Sequence, residues 1–372
     1  MTLEDLGYNL FFEEKRKELG LSCFSVARVI TEHKGAYQVK NSEGEYWATI
    51  TGKHIFRASS RIDYPVVGDW VAIEVIDHSD KSASATTRTL SRAIIRGILP
   101  RATTIKRTYK GAEQPIATNI DTAFIIQSVD RDYSLNRFER YCAIAQDGGV
   151  QPIIVLNKID LLPEKELQEK LSELTKRFPA IDVILTSTLS DKGLDELRAR
   201  ITTGKTYCFL GSSGVGKSTL INRLLKNDTI KTEDISSYSG RGKHITTSRH
   251  MYVLSEDGST VTRGMVIDNP GMREVGIGNA RAGVDSFFDH ITAEAHECRY
   301  VDCTHTHEPG CAVVAAVTAG TLDQKQYANY ITLKKEAAHY DMSDFEKREK
   351  NKQFGKFIKK AKKDLKKFRS KY

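Results

Sequence analysis

FLGSSGVGKSTLINRLL, Phe209 to Leu225, is the stretch on which the reading of this chain turns. Within it GSSGVGKS, Gly211 to Ser218, fits G-x-x-x-x-G-K-[ST] in full, after an apolar strand pattern and at the start of a helical one. That context predicts a phosphate-binding loop. Glycines let backbone N–H groups turn onto phosphates, and the helix N-terminus adds partial positive charge. Gly211, Ser212, Ser213, Gly214, Val215 and Gly216 would form the cradle. Lys217 would reach the β- and γ-phosphates as binding and catalytic cation, the Ser218 hydroxyl would ligate Mg²⁺, and Thr219 would complete the binding turn.

LNKID, Leu156 to Asp160, lies upstream and ends another apolar run. Asp160 can accept from guanine N1–H and its exocyclic amine, Asn157 can contact the other edge, and Lys158 can pack along the loop. Adenine would leave the carboxylate unpaired, which discriminates strongly. TSTLSDKG ends the next strand pattern, where Ser187 and Thr188 could support the base through backbone contacts. DNPG, Asp268 to Gly271, follows GMVI. It would set Asp268 in the Mg²⁺ shell and the Gly271 N–H at the γ-phosphate. The stretch SGRGKHITTSRH lies between the phosphate loop and DNPG. There Thr246 or Thr247, with Thr247 preferred, would close over the metal, as in a switch ordered by the γ-phosphate.

An ordinary P-loop GTPase opens with its phosphate loop and carries the guanine motif near its end. Here the order is guanine motif, supporting loop, phosphate loop, first switch, DxPG. A circular permutation accounts for both motifs. DTAFIIQSVD would be the strand that normally follows the second switch. RITTGKTYCF would join the old last helix to the old first strand. A permuted sheet can keep its strand neighbours. The second switch would then run directly into the segment that follows it, so a change at the γ-phosphate would pull on that segment.

The expected organisation is an α/β P-loop GTPase domain, circularly permuted, between a β-barrel and a helical metal-binding domain. Residues 1–21 form a helical extension and 22–115 an OB-like barrel, whose short alternating strands are punctuated by Gly, Asn and Asp. Residues 116–277 form the GTPase domain, 278–340 the cysteine-containing domain, and 341–372 a basic tail. The 372 residues are 40% hydrophobic and 28% charged, an ordinary soluble composition. No stretch approaches the roughly 18 consecutive apolar residues of a membrane helix. The N-terminus lacks a basic-then-apolar signal pattern. A cytoplasmic monomer without membrane attachment is expected. The formal charge of +8 favours a polyanionic partner. Lys53, His54, Arg57, Arg61, Arg101, Lys106 and Arg107, interleaved with Tyr46, Trp47 and Tyr64, suit RNA binding by the barrel. The lysine-rich tail adds phosphate affinity. Three of the six cysteines cluster in CRYVDCTHTHEPGC, which in a cytosolic chain suggests metal more than disulfide.

The permuted order, the OB-like segment before it and the cysteine cluster after it resemble the RsgA (YjeQ) family of small-ribosomal-subunit biogenesis GTPases. The resemblance covers about Ser22 to Lys335. It implies GTP hydrolysis to GDP stimulated by the small ribosomal subunit, binding to that subunit and its rRNA, and a role in its late maturation. The family's C-x₄-C-x-H-x₅-C pattern carries over as Cys298, Cys303, His305 and Cys311, a closed tetrahedral site for one structural Zn²⁺. His307 is a spare imidazole. The family's His-Thr-Thr-Thr run appears here as His244, Ile245, Thr246, Thr247, and Met272 stands where many GTPases place a water-orienting glutamine. A thioether cannot orient water, so His244 or the partner must supply that group. Two rival readings remain. One is an RNA-binding scaffold holding GTP as a structural or regulatory ligand, which the intact Lys217, Ser218 and Asp268 oppose. The other is a P-loop kinase or ATPase, which Asn157 and Asp160 oppose.

Overall fold

The computed structural model describes residues 1–33, 35–77, 90–109, 112–130, 133–226, 230, 249–255, 262–269, 276–278 and 280–342, with isolated positions beyond. His244, Thr246, Thr247, Gly271, Met272 and most of the lysine-rich tail lie outside the described residues. The chain divides into two compact units, Met1–Gly276 and Ile277–Tyr372.

In the first unit, β1 (Ser25–His33), β2 (Ala36–Lys40), β3 (Glu45–Ile50), β4 (Trp70–Asp77) and β5 (Ser91–Ile98) form the barrel. Their order is β1-β2-β3-β5-β4, and β4 pairs back onto β1 to close it. The β3–β5 pair is parallel and the others antiparallel. Inward residues at period two, including Val29, Val39, Ala48, Val71, Ile73 and Ile95, fill the interior. This is the OB-like domain expected from the alternation. A short helix, α2 (Gly52–Arg57), lies between β3 and β4. A separate antiparallel hairpin, β6 (Thr104–Tyr109) and β7 (Ala112–Thr118), follows.

The α/β sheet runs β10-β9-β8-β11-β13-β12. Its strands are β8 (Thr122–Ser128), β9 (Gln151–Asn157), β10 (Val183–Thr186), β11 (Thr206–Leu210), β12 (His250–Ser255) and β13 (Thr262–Asp268). All neighbours are parallel except β12, which is antiparallel to β13. Strands β8 and β11 are buried at every residue, as a sheet covered on both faces requires. Helices α3 (Leu135–Asp147), α4 (Glu164–Arg177), α5 (Leu194–Ala199) and α6 (Lys217–Leu225) lie between the strands in sequence. The phosphate-loop strand β11 sits between β8 and β13 although β8, β9 and β10 precede it in the chain. The sheet therefore keeps GTPase neighbours in permuted order.

Barrel and α/β core share one continuous sheet of eleven described strands, because β1 pairs with β12 at Thr31 and His250. Arg28 of β1 is buried at this junction. Its guanidinium donates to the carbonyls of Leu6, Gly68 (3.3 Å) and Asn119 (2.8 Å), and lies 5.5 Å from the Trp70 ring centroid. Burial lowers its pKa to about 10, against the charges of Asp121 and Asp69, so it remains a cation at neutral pH. The N-terminal extension, carrying α1 (Leu10–Glu18), packs into this unit. Leu6 and Phe12 are buried, and the Tyr8 ring meets Trp70 edge-on at 4.8 Å.

The second unit contains α7 (Arg281–Phe287), α8 (Asp289–Ala295), α9 (Ala312–Ala319) and α10 (Gln324–Asp341). Val284, Phe288, Ile291, Val313, Tyr330 and Leu333 are buried within it.

Candidate nucleotide site and cysteine cluster

The apolar residues of β11 drive that strand into the core, and the loop after it must reverse at once into α6. Three glycines with positive φ, Gly211, Gly214 and Gly216, carry the reversal. Gly211 has φ +151° and a Cβ there would stand 2.2 Å from the Ile126 carbonyl oxygen. Gly216 has φ +97°, and a Cβ would meet the Asn157 amide at 2.4 Å. Val215 is buried in the sheet core, while Ser213 and Gly214 reach the surface. Ser218 and Thr219 lie in the first turn of α6. The Lys217 ammonium is buried inside the loop's curve and donates to the Gly211 and Ser212 carbonyls at 2.9 and 2.6 Å.

Asn157 ends β9 and is fully buried. Its amide donates to the Val215 carbonyl at 2.8 Å and its oxygen accepts from the Thr186 hydroxyl at 3.0 Å. The residue expected to meet the base edge thus ties the phosphate loop to β10. Lys158 is left-handed (φ +60°), which turns the chain so that Asp160 follows in a short 3₁₀ turn. The Lys158 ammonium pairs with Asp130 at 3.3 Å. The Ser187 hydroxyl donates to the Asp160 carboxylate and accepts from the N–H groups of Leu189 and Ser190 at 3.2 Å. The Thr188 carbonyl accepts from Arg223 at 3.2 Å. Ser187 therefore acts on Asp160 through its side chain, which sequence reading did not foresee.

Asp268 ends β13 beside Phe209 of β11. It is 1% exposed, and its Oδ2 stands 3.5 Å from the Ser218 hydroxyl. Burial raises its pKa, with Lys217 and Ser218 opposing. Its Oδ1 is buried without a hydrogen-bond partner among the described residues. A buried carboxylate oxygen with unspent lone pairs beside a hydroxyl fits a hard divalent cation with oxygen ligands.

Two further side chains belong to this neighbourhood. Thr186 is visible in hindsight, since it is paired in register with Asn157 at the strand ends. Arg137, in the first turn of α3, donates to the Ser212 hydroxyl at 3.2 Å from 75 residues away. No local motif marks it.

In the second unit the donor atoms of Cys298, Cys303, His305 and Cys311 all lie within 4.8 Å of one another. The Cys298 and Cys311 sulfurs are 3.8 Å apart, and His305 Nδ1 lies 3.5 and 3.7 Å from them. Sulfurs at about 2.3 Å from a tetrahedral zinc would be separated by about 3.8 Å. His305 is buried and left-handed (φ +58°), and its carbonyl accepts from the Tyr327 hydroxyl at 2.6 Å. Burial tends to raise the Cys298 pKa. The N–H groups of Val313 and Ala312 and the neighbouring thiols outweigh it and hold the thiol below its ordinary value. His307 stays outside the cluster, with Nδ1 at 2.8 Å from the Thr306 hydroxyl.

On the barrel, Arg101 is not a free surface cation. It forms two 2.8 Å bonds to the buried Asp69 carboxylate and also binds the carbonyls of Ile62 and Tyr64. Tyr46 is buried as well. Trp47 is 37% exposed and lies against His33, and Phe56 of α2 is 91% exposed.

A phosphate loop on β11, a guanine motif on β9 and an acidic DxPG position on β13, in this strand order, define a circularly permuted P-loop GTPase. The RsgA GTPase family model matches residues 98–278. The chain is 39% identical over 344 residues to the small ribosomal subunit biogenesis GTPase RsgA of Opitutus terrae, covering 91% of this chain and 90% of that protein. The chain belongs to the RsgA GTPase family. Two solved structures share the fold. YjeQ from Thermotoga maritima has a TM-score of 0.61 at 23% identity, covering 84% of this chain and 98% of that one. YloQ, described as a circularly permuted GTPase, has a TM-score of 0.57 at 22% identity, covering 86% and 97%. No helix among the described residues is long and apolar enough to cross a membrane.

Proposed function

We propose that this GTPase binds the small ribosomal subunit through its rRNA, assists its late maturation, and hydrolyses GTP to GDP and phosphate when the subunit stimulates it. The convergence of Asp160, Lys217 and Asp268 at the ends of β9, β11 and β13 carries the GTPase half of this reading. The relatives, named small ribosomal subunit biogenesis GTPases, support the ribosomal half.

Asp160, held by Ser187, selects guanine. The phosphate-loop N–H groups and Lys217 bind the phosphates. Ser218 and Asp268 hold Mg²⁺, which when bound neutralises charge on the β- and γ-oxygens. Thr247 and Gly271 complete the γ-phosphate end. Cys298, Cys303, His305 and Cys311 hold one structural Zn²⁺. The barrel and basic tail face rRNA, and the protein acts as a cytoplasmic monomer.

The deciding experiment is the GTPase rate against titrated small and large ribosomal subunits, separately. Stimulation by the small subunit alone is expected. Equal rates with either subunit or with neither would remove the ribosomal assignment. With Met272 at the glutamine position, His244 is assigned to orient the attacking water. His244→Ala should lower stimulated kcat by about 10²–10⁴-fold with GTP affinity nearly unchanged. A stimulated kcat near wild type would transfer that role to the ribosome.

A further inference from the structure

Two cations converge on one residue of the phosphate loop. Lys217 donates to the Ser212 carbonyl at 2.6 Å, and Arg137 donates to the Ser212 hydroxyl at 3.2 Å. Only Lys217 belongs to the loop's own motif.

Arg137 is held in place from below. Gln127 of β8 is fully buried and grips Ser134 twice, donating to its carbonyl at 3.0 Å and accepting from its N–H at 2.8 Å. The Ser134 hydroxyl in turn caps α3 by accepting from the Arg137 N–H at 3.4 Å. Strand β8 is the parallel neighbour of β11, with Ile125 beside Leu210, so the first turn of α3 stands over the start of the phosphate loop. This mounting is what a preorganised electrostatic site requires, because the charge need not be gathered when ligand arrives.

Ser212 offers both cations neutral oxygens. Each cation adds positive potential at the loop, where a polyphosphate would sit. We propose that Arg137 is a second cation of the phosphate site: a positioning residue that fixes Ser212 and adds favourable charge for a polyphosphate. It acts on the phosphates through the loop and through space. This rests on the assignment of Gly211–Ser218 as the phosphate loop.

The role has a signature that simple packing lacks. An electrostatic contribution grows with ligand charge, so GTP should suffer more than GDP, and guanosine should not suffer. The test compares wild type, Arg137→Met, Arg137→Lys and Lys217→Ala by titration with GTP, GDP and guanosine at two salt concentrations. Arg137→Met, which keeps the length of the side chain, should weaken GTP by about 3–10-fold and GDP by less. Arg137→Lys should recover part of the loss, and the defect should shrink at higher salt. Equal losses for GTP, GDP and guanosine would reduce Arg137 to a packing residue and overturn the proposal, as would a flat response. Lys217→Ala separates the two claims. If it abolishes GTP binding while Arg137→Met is silent, only Arg137 is misassigned. If Lys217→Ala is silent too, the phosphate-loop assignment falls, and Arg137 with it.

Discussion

At the scale of single residues, the proposed reading of guanine by Asp160 depends on how Ser187 holds its carboxylate. The serine hydroxyl takes one carboxylate oxygen while two N–H groups hold the serine. Asp160→Asn should exchange preference from guanosine to xanthosine nucleotides, because the new amide donates where guanine also donates and xanthine presents an oxygen. Competition of XTP against GTP for the purified variant measures it, and an undiminished GTP preference would remove NKID from the base site. The cores of the motifs were readable because their parts are neighbours in sequence. Lys217 and Ser218 follow the glycines of one loop, and Cys298, Cys303, His305 and Cys311 lie within fourteen residues. Arg137 and Arg28 were not readable. Their acceptors lie 75, 91 and 40 positions away, and an arginine in a helix or strand pattern carries no mark of such a partner. Asn157 was readable as part of a motif but not in its bracing contact with Val215, which needs the β9–β11 spacing of the folded sheet. The Arg101 contact with Asp69 was hidden for a related reason, since Asp69 lies 32 residues away.

At the scale of elements, the cysteine cluster sits where short helices meet. Cys311 caps α9 by accepting from the Val314 N–H, and His305 is anchored through Tyr327 of α10. Metal-site folding energy is local to the elements that supply the ligands. Cys303→Ser, or chelation, should therefore expose the second unit to protease while nucleotide affinity persists. Limited proteolysis with a parallel GTP titration reads both, and elemental analysis should find one zinc per chain. Acid should release the metal. Burial, followed by the Lys334 charge, lowers the His305 pKa, so the imidazole stays neutral below its ordinary range. Proton competition for the thiolates should then set the release, visible as zinc appearing in a chromophoric indicator as pH falls. Release tracking a group of ordinary histidine pKa would contradict this order. The strand elements were legible from their patterns: period two for the barrel and continuous apolar runs for β8, β9 and β11. The packing of the N-terminal extension against Trp70 was not, because α1 has few apolar residues and its burial is decided by a partner some sixty positions away.

At the scale of the first unit, barrel and nucleotide core are built as one sheet around a buried arginine. Arg28→Met should leave the carbonyls of Leu6, Gly68 and Asn119 without their donor, costing about 3–5 kcal/mol of stability. Denaturant unfolding of the first unit measures it. A midpoint unchanged from wild type would mean that the guanidinium is dispensable at the junction. The permuted sheet also sets an order of manufacture. A growing chain completes the barrel first, then β8, β9 and β10 with the base-reading loop. Strand β11 comes afterwards and must enter beside β8, and β13 must still be made before the other flank of β11 is covered. The pairing of β12 onto β1 joins residues 219 positions apart. Such distant pairings are slow to form. A half-synthesised chain would carry a base-reading loop with no phosphate loop to complete it. A copy truncated before Asp268 would lack the strand that closes the other flank of β11, and should not retain guanine nucleotide.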